Sequence, residues 1–195
     1  MDILIATGNQ GKVKELNELL AKFPINLQNL KEFPNIVEVE ETGKTFAENA
    51  ILKAKGYALQ TNMWTIADDS GLEVEELNGE PGVFSARYAG ENSTDEENIH
   101  KLLSKMNDKT NRNSKFVCFI AISDEKGEIR HLTEGICKGK INYKPKGKKG
   151  FGYDPIFIPD GFDKTFAEIS EDLKNRVSHR RKALDKIFEI FHLLT

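Results

Sequence analysis

DILIATGNQGKVKELNELL, residues 2–20, is the stretch from which the fold of this chain can be predicted. A short apolar run at 2–6 leads into a turn that contains Gly8 and Gly11, and apolar residues then recur at three- and four-residue spacing until Pro24. That spacing is typical of one face of a helix, which a proline ends. The stretch therefore predicts a strand, a glycine turn and a helix in immediate succession.

The rest of the chain continues this alternation of strands and helices. Capping boxes, in which a threonine precedes a glutamate by three residues, mark the starts of two further helices at Thr45 and Thr94. The remaining predicted elements are strands at 64–67, 72–77 and 155–158, a hairpin over 115–137 with its turn at 124–127, and a final helix from about Ser178 with Leu184, Ile187, Phe188 and Phe191 on its apolar side. The pattern predicts a mixed α/β fold with a central sheet.

Length and composition limit the class of protein. The 195 residues, 38% of them hydrophobic and 30% charged, suit one domain or a compact two-lobed unit and exclude wholesale disorder. The longest apolar run, Phe116 to Ile122, is too short to span a bilayer, and the acidic Asp2 does not fit a signal peptide. We therefore expect a cytoplasmic protein without a membrane partner. The net charge of -3 predicts no nucleic-acid partner either.

Cys118 and Cys137 lie in β-like apolar settings without CxxC spacing. Two buried reduced thiols are favoured over a disulfide, which is unusual in a reducing compartment.

The glycine turn is a candidate phosphate site. A strand that turns into a helix presents backbone amides and the positive end of the helix dipole, and Lys12 adds a cation. TGNQGK is not a Walker A loop, because Gly8 and Gly11 are too close together and Val13 follows the lysine. An ordinary tight turn between strand and helix explains the pattern equally well.

Adjacent carboxylates at Asp68 and Asp69 follow an apolar strand, where like charges need a compensating cation. Hard oxygen ligands suit Mg²⁺, although a solvated acidic turn is the alternative. A second acidic group, Glu38, Glu40 and Glu41, is typical of a solvated edge. Those acids become candidate metal ligands only if the fold brings them to Asp69.

A third candidate lies at 150–155, GFGYDP, where an aromatic ring could stack on a nucleobase while a carboxylate reads its edge. A turn with two core aromatics is the alternative. Cations at Lys174, Arg180 and Arg181 lie before and at the start of the last helix, where they oppose the helix dipole, so a bound anion would help to explain them. Together these features predict one ligand, a nucleotide carrying phosphates and Mg²⁺.

The strings ATGNQGKVKEL (6–16), EETGKTFAENAILKAKGYA (40–58), ADDSGLEVEELNGEPGVFSARYAG (67–90), GFGYDPIF (150–157) and TFAEIS…KNRVSHRRKAL (165–184) resemble the non-canonical purine NTP pyrophosphatases, the inosine triphosphate pyrophosphatase family. The resemblance implies a single catalytic domain over 1–195, with an elongated α/β fold of two lobes around a long mixed sheet flanked by helices. It also implies a homodimer with the nucleotide in the cleft between the lobes. The implied reaction is hydrolysis of ITP, dITP and XTP to the monophosphate and pyrophosphate with Mg²⁺, which cleanses the nucleotide pool.

The same resemblance assigns site residues by matched position. Asp69 would be the proton acceptor that activates water, Lys53 would face the phosphates, and Glu40 and Asp69 would hold the metal. The residues implied to bind substrate are Thr7, Gly8, Asn9, Gln10, Gly11, Lys12, Ser70, Phe151, Gly152, Tyr153, Asp154, Lys174, His179 and Arg180.

Three positions depart from the family pattern: Leu173 stands where a Glu is common, Arg181 where a Gly is common, and Phe84 where a Tyr is common. The first two lie beside the base pocket and leave the finer substrate preference open. The alternatives to this function are a nucleotide sensor that has lost hydrolysis and a pyrophosphatase for other nucleotides.

Overall fold

The computed structural model describes residues 2–187, within which it has six strands and five α-helices. The strands are β1 (Asp2–Ile5), β2 (Asn26–Asn29), β3 (Trp64–Val74), β4 (Asn113–Ser123), β5 (Ile129–Ile141) and β6 (Phe157–Pro159). The helices are α1 (Gln10–Leu20), α2 (Phe46–Thr61), α3 (Asp95–Lys105), α4 (Glu171–Val177) and α5 (His179–Asp185).

The six strands form one sheet in the order β2-β1-β3-β4-β5-β6. β1 is parallel to both neighbours, with Ile3 opposite Leu27 on one side and Trp64 on the other. β5 and β6 are antiparallel, with Ile141 opposite Phe157. The sheet is therefore mixed, and the predicted α/β class is confirmed.

Local sequence signals begin and end the predicted elements. Thr45 and Glu48 form the predicted capping box of α2, each side chain accepting from the other's backbone amide at 3.1 and 3.2 Å. Thr94 caps α3 in the same way. The hairpin turn closes where the amide of Asp124 donates to the carbonyl of Glu128 at 3.0 Å. These predictions are confirmed.

β3 differs from the prediction of two short strands separated by an acidic turn. It runs without a break from Trp64 to Val74, and both Asp68 and Asp69 are buried within it. The acids do not turn the chain toward solvent, because each is paired with a cation inside the protein.

Other differences concern short segments. The predicted strand at 155–158 is a 3₁₀ turn, Asp154–Ile156, followed by β6. β2 and α4 were not predicted, because they carry no strong periodic signal. The predicted apolar positions Phe188 and Phe191 lie outside the described residues.

The described chain divides into two compact units. The first takes the described part of Met1–Asp69, Cys118–Gly135 and Arg180–Thr195, and the second takes Ser70–Val117 and Ile136–His179. The prediction that the whole chain is one catalytic domain stays a prediction.

In the first unit, β1 and β3 bury both of their faces. Ile3, Ile5 and Ile66 belong to a core cluster with apolar side chains of α1, β4 and α5. Leu4, Ala6 and Ala67 belong to a different cluster, with Ala50 and Ala54 of α2. Because successive side chains of a strand point to opposite faces, residues of even and odd number on β3 meet different helices.

The second unit has its own core, in which Phe116, Phe157 and Phe166 pack ring against ring. Cys118 of the first unit and Cys137 of the second are buried thiols, as predicted. Within residues 2–187, no helix is both long and apolar enough to cross a membrane.

Candidate active site

The glycine turn of the first unit joins β1 to α1, as predicted. Asn9 is the N-cap of α1, and its side-chain oxygen accepts from the amide of Lys12 at 3.1 Å. The amide of Asn9 donates to the hydroxyl of Thr7 at 3.2 Å. These bonds order the turn, and the first amides of a helix have no partner inside it. The turn can therefore bind an anion with backbone amides.

Lys12 extends from this turn to Asp68 on β3. Its ammonium lies 2.6 Å from Oδ1 of Asp68, which is fully buried. Arg180 at the start of α5 donates to the same carboxylate from Nε at 2.9 Å and also contacts Glu15. Burial opposes ionisation of Asp68, but Arg180 and then Lys12 outweigh it and hold the pKa of Asp68 well below its ordinary value.

Lys53 of α2 contacts the neighbouring acid. Its ammonium lies 2.8 Å from Oδ1 of Asp69 and 3.1 Å from Oε1 of Glu41. One turn earlier on α2, Asn49 accepts from the amide of Gly43 at 2.8 Å. A Cβ on Gly43 would lie only 2.6 Å from that Asn49 oxygen, so the close approach requires glycine. The segment before α2 that contains Glu41 and Gly43, here called the strap, is thus held against the helix, and Glu41 of the strap contacts Lys53.

Burial and ion pairing have opposite effects on the pKa values of Asp69 and Lys53. Burial raises the pKa of Asp69 above its ordinary value, although Lys53 and Lys12 act in the opposite direction. For Lys53, burial lowers the pKa, but Asp69 and Glu41 outweigh it and raise the pKa above its ordinary value. Asp69 is therefore a carboxylate with more affinity for a proton than an exposed aspartate, next to a lysine that keeps its charge.

The carboxylates around Lys53 fit Mg²⁺. Asp69 and Glu41 already converge on one positive charge, and both offer hard anionic oxygens. Within residues 2–187, no group of three His, Cys, Asp or Glu side chains is placed to hold a metal ion. Mg²⁺ on a nucleotide needs fewer, because it takes one or two carboxylates together with phosphate oxygens and water. The predicted ligand Glu40 is exposed, and the structure places its neighbour Glu41 against Lys53.

The predicted base-binding turn lies in the second unit, where it is built around Asp154. Oδ2 of Asp154 accepts from the amide of Phe151 at 2.9 Å and from the ammonium of Lys174 at 2.5 Å. A Cβ on Gly150 would lie 2.0 Å from that oxygen, so the turn requires glycine there. The Lys174 ammonium lies 4.9 Å from the centre of the Phe151 ring. Asp154 thus orders the turn and places a cation beside a half-buried aromatic ring.

The other predicted residues of the second unit have structural contacts of their own. The hydroxyl of Tyr153 donates to the carbonyl of Ser85 at 2.9 Å, and burial raises the pKa of Tyr153. The amide of Gly152 donates to Asp95 at 2.6 Å. His179 stacks on Phe116 with ring centres 4.7 Å apart.

The structure therefore brings together two of the predicted groups, each within one unit. In the first unit, Lys12 pairs with Asp68 and Lys53 pairs with Asp69, the next residue of β3. In the second unit, Lys174 pairs with Asp154 in the turn from Phe151 to Asp154. Arg180 lies with Asp68 and Glu15 in the first unit, and its predicted role in substrate binding stays a prediction, as does that of half-buried Ser70.

Four residues at these sites were not predicted: Glu15, Glu41 as the partner of Lys53, Asp95 and Cys118. Glu15 lies three residues after Lys12 on α1, and that helical spacing could have suggested it. The other three meet their partners only through tertiary contacts.

Comparison with known proteins identifies close relatives over nearly the whole chain. The model of the Ham1 family matches residues 3–190. A dITP/XTP pyrophosphatase of Bacillus anthracis is 47% identical over 190 residues, which cover 96% of this chain and 94% of that protein. One from Desulfotalea psychrophila is 52% identical over 186 residues, covering 95% and 82%. The solved structure of the Staphylococcus aureus Ham1 protein has a TM-score of 0.88 at 44% identity and covers all of both chains.

Proposed function

The chain belongs to the Ham1 family, and from this membership we propose that it hydrolyses the non-canonical purine triphosphates ITP, dITP and XTP to the monophosphate and pyrophosphate. The observation that carries the proposal is the buried ion pair of Lys53 and Asp69. Asp69 directly follows Asp68 on β3, and Asp68 binds Lys12. A base, a fixed cation and a phosphate-binding turn are thereby associated in the first unit.

The phosphates would bind the turn from Thr7 to Lys12. Its amides and the positive end of α1 suit an anion, and Lys12 supplies a full charge. Lys53 supplies a second charge from α2. Both lysines are ordered by carboxylates before substrate arrives, so their charges need little rearrangement to stabilise the transition state.

Asp69 would accept the proton of the attacking water. Water is a poor nucleophile near neutral pH, and a carboxylate whose pKa is raised by burial is a stronger base than an exposed one. Lys53 keeps Asp69 ionised and in place between turnovers. As water attacks, the pyrophosphate leaves with the electron pair of the broken anhydride bond.

Mg²⁺ would be held by Asp69 with an acid from the strap before α2, either Glu40 as the resemblance implies or Glu41 as the contact with Lys53 favours. Bound there with the nucleotide, Mg²⁺ supplies neutralisation of phosphate oxygens.

Base selection is proposed for the second unit. Phe151 offers a ring for stacking, and Lys174 and His179 are donors that suit the 6-keto oxygen of hypoxanthine and xanthine. A site built to donate discriminates against the 6-amino group of adenine, because the donors are then left unpaired.

We also propose that the enzyme is a homodimer that cleanses the nucleotide pool of the cytoplasm. The resemblance to the family supports the dimer, and two buried cysteines that form no disulfide within residues 2–187 suit a reducing compartment. Light scattering after gel filtration tests the dimer, for which a mass near twice the 22.0 kDa of the chain is expected.

The activity is tested by pyrophosphate release from dITP, XTP and ITP with Mg²⁺, with dATP, dGTP, dUTP and dTTP as the comparison panel. We expect turnover of the first three, and a loss of about 10³-fold or more in Asp69→Asn with nucleotide binding retained. Glu18→Gln, a partly exposed carboxylate on α1, is the matched control and should leave activity unchanged. Binding of dITP without release of pyrophosphate by the wild-type protein would favour the sensor instead.

A further inference from the structure

We propose that Asp68 is a positioning residue, which holds the ammonium of Lys12 where the phosphates bind and does not serve as a metal ligand. The proposal rests on the proposed function, since it assigns a role within the same site. Asp68 and Asp69 look equivalent as adjacent acids, but their surroundings differ.

The carboxylate of Asp68 is contacted by donors from three elements. Oδ1 lies 2.6 Å from Nζ of Lys12 on α1 and 3.4 Å from a terminal nitrogen of Arg180. Oδ2 accepts from Nε of Arg180 on α5 at 2.9 Å and from the thiol of Cys118 on β4 at 2.8 Å. Asp68, Arg180 and Cys118 are all nearly inaccessible to solvent. The carboxylate is thus fixed on several sides.

Asp68 and Glu15 provide two negative charges, and Lys12 and Arg180 provide two positive ones. If Asp68 turned to bind a metal ion, Arg180 would keep only part of its compensation in a buried site, which is costly. Asp69 lies on the other face of β3, where its partner Lys53 also contacts the partly exposed Glu41.

Lys12 is the most exposed member of the cluster. Its side chain is 13% exposed, that of Glu15 is 10% exposed, and those of Arg180 and Asp68 are 1% and 0% exposed. A lysine side chain is long and flexible, and on a helix's first turn it would sample many positions without a partner. Because Asp68 already holds the Lys12 side chain in one position, substrate binding has less conformational freedom of that side chain to remove.

A double-mutant cycle tests this role. The kcat and KM for dITP are measured for wild type, Asp68→Asn, Lys12→Met and the double variant, with Glu18→Gln as the neutral control on the same helix. We expect Asp68→Asn to lower kcat by about 10- to 100-fold and to change KM by less than about 3-fold, because a misplaced group costs turnover more than affinity. In the Lys12→Met background, the same change should lower kcat by less than about 3-fold, because the residue through which it acts is gone.

The result of the cycle is the ratio of two kcat penalties for Asp68→Asn, one measured in the Lys12→Met background and one in the wild-type background. If the fold-loss of kcat in the Lys12→Met background is at least about a third of the fold-loss in the wild-type background, Asp68 acts independently of Lys12 and the proposal is overturned. A wild-type kcat in Asp68→Asn alone would overturn it as well. A wild-type enzyme that releases no pyrophosphate would instead refute the proposed function, which distinguishes the two failures.

Cys118 provides a variant that keeps the test informative if Asp68→Asn does not fold. Cys118→Ala removes one donor to Asp68 and leaves both charges in place, whereas Cys118→Ser retains a donor. We expect kcat to fall about 2- to 5-fold in Cys118→Ala, to recover toward wild type in Cys118→Ser, and to show no further fall when Cys118→Ala is added to Lys12→Met. An equal fall in both backgrounds would overturn the proposal.

Discussion

Replacing Lys53 by methionine should destabilise the protein strongly, and the size of the effect follows from burial. The Lys53 and Asp69 side chains are 7% and 9% exposed and lie 2.8 Å apart. Removing one partner of a buried ion pair costs about 3–5 kcal/mol, because the other charge is left without compensation. The lower end applies here, since Lys12 also acts on Asp69. With about 2–4 °C per kcal/mol for a chain of this size, the melting temperature should fall by about 6–12 °C.

The loss of stability in Lys53→Met, relative to wild type, should also depend on pH. Burial raises the pKa of Asp69, and in the variant the adjacent cation no longer opposes that shift. The folded variant therefore binds a proton at a pH where the unfolded chain, with an ordinary pKa of about 3.9, does not. The stability gained from that proton is present at low pH and is lost as pH rises through the folded pKa. The difference from wild type should thus be smaller near pH 5 than near pH 8, in calorimetric melts with matched buffers.

Two variants decide whether the buried pair is the cause. Lys14→Met removes a lysine that is 59% exposed and lies 3.7 Å from Glu18, so it should change stability by less than about 0.5 kcal/mol. Lys53→Met with Asp69→Asn removes both charges and should recover much of the loss. If Lys53→Met melts within about 2 °C of Lys14→Met, or its deficit is the same at both pH values, the reasoning is refuted.

Three further predictions concern the folded state. Gly150→Ala should lower the free energy of unfolding by about 1–3 kcal/mol in urea titrations, because the residue has φ +73° and its Cβ would meet Asp154. Gly152→Ala should lower it less, because a Cβ at this position, where φ is +57°, would have no atom within 4 Å. Thr45→Ala should cost about 1 kcal/mol through loss of the α2 cap, and an unchanged urea midpoint would contradict this. The lowered pKa of Asp68 should contribute stability above the ordinary pKa of about 4 that is lost as pH falls further, so acid unfolding should be less steep in Asp68→Asn than in wild type.

The sequence predicts the elements whose signals are local. The spacing of Val13, Leu16 and Leu20, the capping boxes and the hairpin turn each depend on residues within a few positions of one another, and all three have their predicted form. β2 and α4 escape prediction because they are short and depend on packing rather than periodicity.

At the site, the sequence predicts the chemical groups better than their partners. Lys12, Lys53 and Asp69 are predicted, but the different partners of Asp68 and Asp69 are not. Those partners differ because β4, α1 and α5 pack on one face of β3 and α2 packs on the other. Burial of both acids requires cations from residues 12, 53 and 180, which lie up to 112 positions away in the chain. Tertiary structure alone supplies that pairing.

The alternation of faces along β3 restricts how this protein can change in length. Ile66 and Asp68 lie on the side of α1 and α5, and Ala67 and Asp69 on the side of α2. Inserting or deleting one residue ahead of the two acids would exchange their faces in a single step, so that each carboxylate met the wrong cation. The segment from Trp64 to Asp69 must therefore evolve by substitution.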